Sequence, residues 1–378
     1  MDGTDYDAIV IGAGVIGAAT ALSLAWRGHR VLGLDRLPAA GYGSTSGSCA
    51  IVRPFYSTHE GVAMGWECHF YWDDWAGYLD APDAGALTRY IACGNTVVRC
   101  SKNNYLKHIL KIMDEVGCPY EEVPPEALRA RLPTVSLDSY MPARRPDDPE
   151  FGAPNGEAIP GAVFFPTGGY VTDPQRAARD LQEAAERAGA AFRFNAEVAE
   201  ILRTDGRCAG VRLADGVTLR APVVVNVAGP HSHKVNVMAG VEEGMNIKTR
   251  ALRHEVAHVP APHGLEQSKG GTHFSDADTA TYCRPESGDH ILIGSEDPDC
   301  DPRDWVDPDD FNRDPTEQSR IQVMRLAQRF PDIGIPARVR TVVDLYDVSD
   351  DWLPIYDRSD LPGFYMAVGS SGNQFKTA

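Results

Sequence analysis

The chain has 378 residues, more than the roughly 250–300 at which one hydrophobic core stops growing, so two domains are expected. A net charge of −17 argues against a nucleic-acid partner, and without an apolar run of spanning length or a charged-then-apolar leader the chain reads as cytoplasmic, with no membrane partner. Its eight cysteines (49, 68, 93, 100, 118, 208, 283 and 300) are scattered without a C-x-x-C pair, which disfavours a zinc ribbon and a disulfide framework; no metal site is expected.

The first predicted unit runs from Asp7 to Arg36 (D-A-I-V-I-G-A-G-V-I-G-A-A-T-A-L-S-L-A-W-R-G-H-R-V-L-G-L-D-R). It is an apolar strand, a glycine turn, a small-residue helix, a second strand and a terminal acid, in the order of a dinucleotide-binding fingerprint. Gly12 allows the tight turn, Gly14 lets the backbone approach a pyrophosphate at the helix N-terminus, and Gly17 lets helix pack on strand. Asp35, 18 residues past Gly17, is placed to hydrogen-bond an adenosine ribose.

Residues 39–48 form a small, hydroxyl-rich loop, a candidate second phosphate-contacting segment. From Thr58 to Glu150 an aromatic run at Trp66–Trp75 and proline-broken polar text show no sheet-and-helix repeat, which suggests the first half of an inserted domain. Regular structure returns where Asp173 predicts an N-cap and Pro174 a first helical residue, with Ala177, Leu181, Ala184, Ala185 and Ala188 at helical spacing up to Gly189. Three strands then follow, separated by Asp205-Gly206 and Asp215-Gly216, and predict a β-meander. Pro222–Gly229 reads as a fully buried strand ending in a small-residue turn.

Strand-like alternation at Thr249–Val259 and Ala280–Pro285 predicts a second, antiparallel sheet. Residues 299–315, rich in aspartate and proline, read as a surface loop, and Thr316–Phe330 as a helix. Gly363–Val368 is a short buried strand running into Gly369-Ser370-Ser371-Gly372-Asn373-Gln374-Phe375-Lys376. His254-Glu255-Val256-Ala257-His258 matches the H-E-x-x-H zinc-protease pattern, but its alternation is that of a strand, where the two histidines stand roughly 13 Å apart and cannot share a metal. His231 and His233 read as local polar groups.

This layout resembles the flavin-dependent D-amino-acid oxidase superfamily, and within it the sarcosine and N-methyl-amino-acid oxidase branch. Four segments carry the resemblance: the glycine fingerprint, G-S-T-S-G-S-C-A-I-V-R at Gly43–Arg53, G-G-Y-V-T-D-P at Gly168–Pro174, and G-S-S-G-N-Q-F-K at Gly369–Lys376. It implies an α/β fold of mixed α+β character: a Rossmann-like FAD-binding domain (1–57, 155–245 and 335–378) with an inserted antiparallel-sheet substrate domain (58–154 and 246–334). The FAD contacts it implies are Gly12, Gly14, Val15, Ile16, Gly17, Asp35 and Arg36; Gly43, Ser44, Thr45 and Ser46; Val198, Ala228 and Gly229; and Gly372, Asn373, Gln374, Phe375 and Lys376.

By the same resemblance, Arg53 and Lys376 clamp the carboxylate of a small-molecule amine or amino acid above the flavin. Tyr282 and Tyr346 fall where the family places aromatic groups around the substrate. The implied chemistry is hydride transfer from a carbon next to nitrogen, giving an imine that water hydrolyses. The cysteine that tethers flavin in some relatives is Asp344 here, and the tethering histidine of others falls within Ser44–Ser48, so non-covalent FAD is expected. The family's oxygen-activating lysine falls at Leu292, which implies slow use of oxygen. The fingerprint alone also admits an NAD(P)-dependent dehydrogenase, and Leu292 an electron-relaying subunit of a larger complex; a homo- or hetero-oligomer is compatible with each reading.

Overall fold

The computed structural model describes residues 5–378. Strand β1 (Ala8–Ile11) is fully buried and lies at the centre of a six-stranded sheet, parallel on one side to β2 (Val31–Leu34) and on the other to the strand Val223–Asn226. Phe364–Val368 extends the parallel set, and Ile355–Arg358 closes that edge antiparallel. Parallel strands buried on both faces need helices over them. Helix α1 (Val15–Trp26) supplies one cover. It packs against the helix Pro174–Arg187 through Ala18, Ala21, Leu22 and Ala25 on one side and Ala177, Leu181 and Ala184 on the other. The small side chains set a close approach. Asp173 caps the second helix, accepting from the Arg176 backbone N–H at 2.8 Å, and Pro174 occupies its first position, as the sequence predicts.

The meander is present as Val198–Thr204, Arg207–Leu213 and Thr218–Arg220. Its first turn is a two-residue hairpin with Asp205 and Gly206 both at positive φ (51° and 73°), the geometry that matches strand twist.

A second, eight-stranded sheet collects strands far apart in the chain. Thr249–Pro260 pairs antiparallel with Arg340–Ser349 and with His290–Ser295, and the sheet continues through Thr281–Glu286, His273–Asp276, Asn95–Val98, Ala162–Phe165 and Glu121–Val123. It is antiparallel except at one junction, where Asn95–Val98 runs parallel to His273–Asp276. The H-E-x-x-H segment lies on the long strand Thr249–Pro260. Glu255 accepts from the backbone N–H groups of Thr316 and Ser319, satisfying the start of the helix Glu317–Arg329. That helix buries Arg329 between Asp276 and Asp278, both at 2.8 Å.

The aromatic run falls on helix α2 (His59–Asp73) and, at Trp75, on the short helix Trp75–Tyr78; Thr58 caps α2, its side chain accepting from Gly61 N–H at 3.1 Å. Trp72 and Trp75 stack at 4.2 Å and join the core beneath α1, and the Trp72 indole donates to the Lys376 carbonyl at 2.9 Å. Ala162–Phe165 and Arg340–Ser349, which lie within the segments expected for the FAD-binding domain, pair into the eight-stranded sheet, with Asn95–Val98 and with Thr249–Pro260.

Candidate active site

One cavity of about 1370 Å³ runs from the N-terminus of α1 to the inner face of the eight-stranded sheet. Ordinary small-molecule sites occupy roughly 300–1,000 Å³, so there is room for a dinucleotide and a small substrate together. Its first end is built by backbone. Gly12 has φ +106°, and a Cβ there would stand 2.3 Å from the Val227 carbonyl oxygen. Gly14 opens α1 in extended conformation with neither a side-chain cap nor an acid in the first turn. A twelve-residue helix whose first turn faces a cavity, with the Ile16 and Gly17 N–H groups left unbonded among the described residues, suits a pyrophosphate. Asp35 accepts from the Ala13 N–H at 2.7 Å and the Leu37 N–H at 2.8 Å, so it holds the glycine turn as well as facing the cavity. Burial pushes its carboxyl up, against the two backbone donors. Thr45 reaches back to the Val15 N–H at 3.1 Å and so ties the second motif to the first.

Of the cofactor contacts expected from sequence, all but one line this cavity. Ser46 is the correction: it is exposed and its hydroxyl turns back to the Gly43 carbonyl at 2.9 Å, because it sits at the crown of the loop. Residues 299–315 are the expected surface loop, mostly exposed, and the loop is tied to the site: Asp309 binds Arg36 at 2.7 Å and Lys234 at 2.6 Å, and Pro308, Phe311 and Arg313 line the cavity, so it straps the dinucleotide end.

At the far end, Arg53 follows the short strand Ile51–Val52 and its guanidinium lies against the rings of Phe55 and Tyr56, 5.0 and 4.7 Å from their centroids. Its Nε donates to the Tyr56 hydroxyl at 3.1 Å, and that hydroxyl donates to the Asn373 carbonyl at 3.0 Å. The two terminal nitrogens have no partner among the described residues. Lys376 is enclosed by comparison. Its ammonium donates to the Asn373 carbonyl and the Gln374 side-chain oxygen, each at 3.0 Å, and lies 3.9 Å from the Tyr56 ring centroid. Burial lowers its pKa.

Tyr282 and Tyr346 share a hydrogen bond at 3.1 Å. Tyr346 stacks on His254 at 4.0 Å, and Gly372 makes room for its ring, since a Cβ there would come within 2.3 Å. Burial pushes both phenols above their ordinary range. Asp344 also faces the cavity. Leu292 does not line it, and pairs with Arg284 across the ladder. The Arg284 guanidinium is buried behind the wall, donating to the Cys49 carbonyl at 2.6 Å.

Among the wall residues that the sequence does not single out are Tyr56, His273, Ser275 and Glu296. Burial holds His273 down at about 3, with Arg53 and Arg284 adding to the effect, and its Nδ1 has no partner. Glu296 is half-buried, accepts from the Ser275 hydroxyl at 2.5 Å, and is pushed up to about 7 by desolvation. The only local signal for Glu296 is an acid at the end of a strand, which does not set it apart from the other 52 acids of the chain.

A family model for FAD dependent oxidoreductases matches residues 7–378. The chain belongs to that family. Membership decides between the flavin and nicotinamide readings of the glycine fingerprint in favour of FAD. Among curated proteins, the chain is 28% identical over 269 residues to peroxisomal sarcosine oxidase of Homo sapiens, which covers 70% of this chain and 60% of that protein. It is 28% identical over 230 residues to N-methyl-L-tryptophan oxidase of Yersinia pestis (strain Pestoides F), covering 60% of this chain and 54% of that one. The chain thus matches less than two thirds of the length of these relatives.

L-proline dehydrogenase from P. horikoshii shares the fold with a TM-score of 0.80 at 20% identity, covering 99% of this chain and 90% of that one. Glycine oxidase from Geobacillus kaustophilus does so with a TM-score of 0.76 at 21% identity, covering 98% and 91%. Among the described residues no helix is long and apolar enough to cross a membrane, and no cluster of metal-ligating side chains is present.

Proposed function

We propose that the protein oxidises the C–N bond of a carboxylated secondary amine, such as an N-methyl amino acid, to an imine that water hydrolyses. The observation that carries this reading is the Arg53 guanidinium, held by Tyr56 through Nε and left with two free terminal nitrogens in the same cavity as the dinucleotide elements. A planar fork of that kind takes a carboxylate bidentately. It fixes the carbon beside the substrate nitrogen in one place, which holds the hydride donor in a near-attack geometry. When bound, FAD supplies the electron sink. Lys376 contributes positive charge from behind Tyr56, and the two cations favour the neutral form of the amine.

Asp344 and Ser44–Ser48 offer no thiol or imidazole at the two positions matched to flavin tethers, which supports non-covalent FAD. The division into a flavin unit and a substrate unit, with the eight-stranded sheet as roof, fits the way the cavity lies between the two sheets. Eight unpaired cysteines suit a reducing compartment, and we place the protein in the cytoplasm.

Turnover of sarcosine and of dimethylamine, its counterpart without the carboxylate, with an artificial electron acceptor tests the reading. A kcat/KM at least 100-fold higher for sarcosine is expected. Equal values for the pair would remove the carboxylate from the account.

A further inference from the structure

Glu296, an acid of the cavity wall, has one oxygen without a partner among the described residues. Glu296 directly follows the strand His290–Ser295, at the inner face of the roof sheet. One oxygen accepts from Ser275 on the strand His273–Asp276, two places away in the same sheet. The other has neither a hydrogen-bond nor an ion-pair partner among the described residues.

The charged and titratable groups that act on it are Arg53, Lys102, Asp276 and Tyr105, and none of them forms an ion pair with it. Asp276 is itself neutralised by Arg329. A carboxylate withdrawn from water without a counter-ion is costly, and its cost is removed by a cation brought by a ligand or by taking up a proton. Both routes meet in an amino acid. Arg53 and Glu296 line the same cavity and act on each other electrostatically, so a zwitterion whose carboxylate lies on the free fork of Arg53 holds its ammonium within the field of Glu296.

Resting on the proposed amine oxidation, we propose that Glu296, oriented by Ser275, binds the substrate ammonium and takes a proton from it before the C–H bond breaks. The step balances without a further reagent. An N–H bond breaks, nitrogen keeps the electron pair, and the proton forms an O–H bond on the carboxylate, giving a neutral amine beside a neutral acid. The lone pair left on nitrogen is what allows hydride to leave the neighbouring carbon. Ser275 is a positioning residue, since it reaches the reaction only through Glu296.

Two measurements on the FAD-loaded protein test this. The first is the rate of anaerobic flavin reduction by sarcosine across pH, for the native protein and for Glu296→Gln and Glu296→Asp. In the native protein the second-order rate of reduction, which reports the ligand-free site, is expected to fall below about pH 7, following the carboxyl. In Glu296→Gln the rate at neutral pH is expected to drop by about 100-fold or more, and its acid limb to move up to the pKa of the free amine. Glu296→Asp should keep the acid limb.

The second compares binding of betaine and 3,3-dimethylbutanoate, carboxylates of the same shape with and without a positive charge, by their perturbation of the flavin spectrum. A preference of about tenfold for betaine at pH 8 is expected in the native protein and none in Glu296→Gln. If sarcosine reduces the native flavin and Glu296→Gln keeps the same acid limb and the same betaine preference, the role of Glu296 is overturned while amine oxidation stands. If Glu296→Gln is impaired only toward amines with a second positive charge, Glu296 binds a substrate side chain instead, which also overturns the proposal. If neither sarcosine nor any other carboxylated amine reduces the native flavin, the underlying function fails first.

Discussion

Arg53 and Tyr56 are joined by a single hydrogen bond, Nε to phenol oxygen at 3.1 Å, while the Arg53 guanidinium also lies over the Tyr56 ring. The bond and the stacking fix the plane of the fork without occupying its outer edge. Arg53→Met is therefore expected to raise KM for a carboxylated amine by roughly 100-fold, since charge-assisted hydrogen bonds of this kind are worth about 1.5–3 kcal/mol. FAD content should be unchanged, and steady-state kinetics beside the flavin-to-protein ratio checks both. Lys376→Met should raise KM less, because its donors are already engaged by Asn373 and Gln374.

Tyr56 stands at the centre of this network, accepting from Arg53, donating to the Asn373 carbonyl and covering the Lys376 ammonium. Burial opposes ionisation of its phenol, but Lys376 and Arg53 outweigh it and hold the phenol below its usual value. Tyr56→Phe keeps the ring and removes the hydroxyl. A rise in KM of about fivefold is expected, smaller than that of Arg53→Met, because the stacking survives and only the orientation of the fork loosens.

Gly12→Ala tests the dinucleotide end. The new Cβ meets the Val227 carbonyl in a backbone region with φ +106°, so the turn must open or the neighbouring strand must shift. Protein purified without added flavin is expected to be colourless, with affinity for FAD weakened by at least about tenfold in titration. Normal flavin content would show that this turn does not cradle the pyrophosphate.

Asp347 gives a pH dependence whose sign can be worked out. It is buried, accepts from Gly369 N–H at 2.6 Å and Ser232 Oγ at 2.9 Å, and is pushed up to about 7 by desolvation. The raised value means that the folded chain binds a proton which the unfolded chain has released between about pH 4 and pH 7. This group therefore lowers stability as pH rises through that window, by roughly 4 kcal/mol in total, and adds no further slope above it. Thermal melts of the FAD-loaded protein should show a weaker fall in Tm from pH 5 to pH 7.5 for Asp347→Asn than for the native protein.

The cofactor end was legible because its signals are local. Gly12, Gly14, Gly17 and Asp35 sit within one strand-helix-strand unit whose geometry depends on little outside it. Helix α2 was hidden because its buried face includes Gly65 and His69 beside Val62 and Trp72, which breaks the apolar periodicity. The strap role of Asp309 depends on contacts with Arg36 and Lys234, distant in the chain. Glu296 and Ser275 meet only because two ladders bring their strands into one register, each through Thr281–Glu286. No pattern within either segment carries that pairing. The H-E-x-x-H segment shows the converse: alternation read along the chain was enough to place His254 and His258 on a strand.

The most direct test of the central claim is anaerobic mixing of the FAD-loaded protein with N-methyl and other secondary amino acids while the oxidised-flavin absorbance is followed, with air admitted afterwards. Complete loss of that absorbance with at least one carboxylated secondary amine, and none with its decarboxylated counterpart at the same concentration, is the predicted result. Flavin that stays oxidised with every carboxylated amine, or that is reduced equally well by a substrate without nitrogen, would contradict the account.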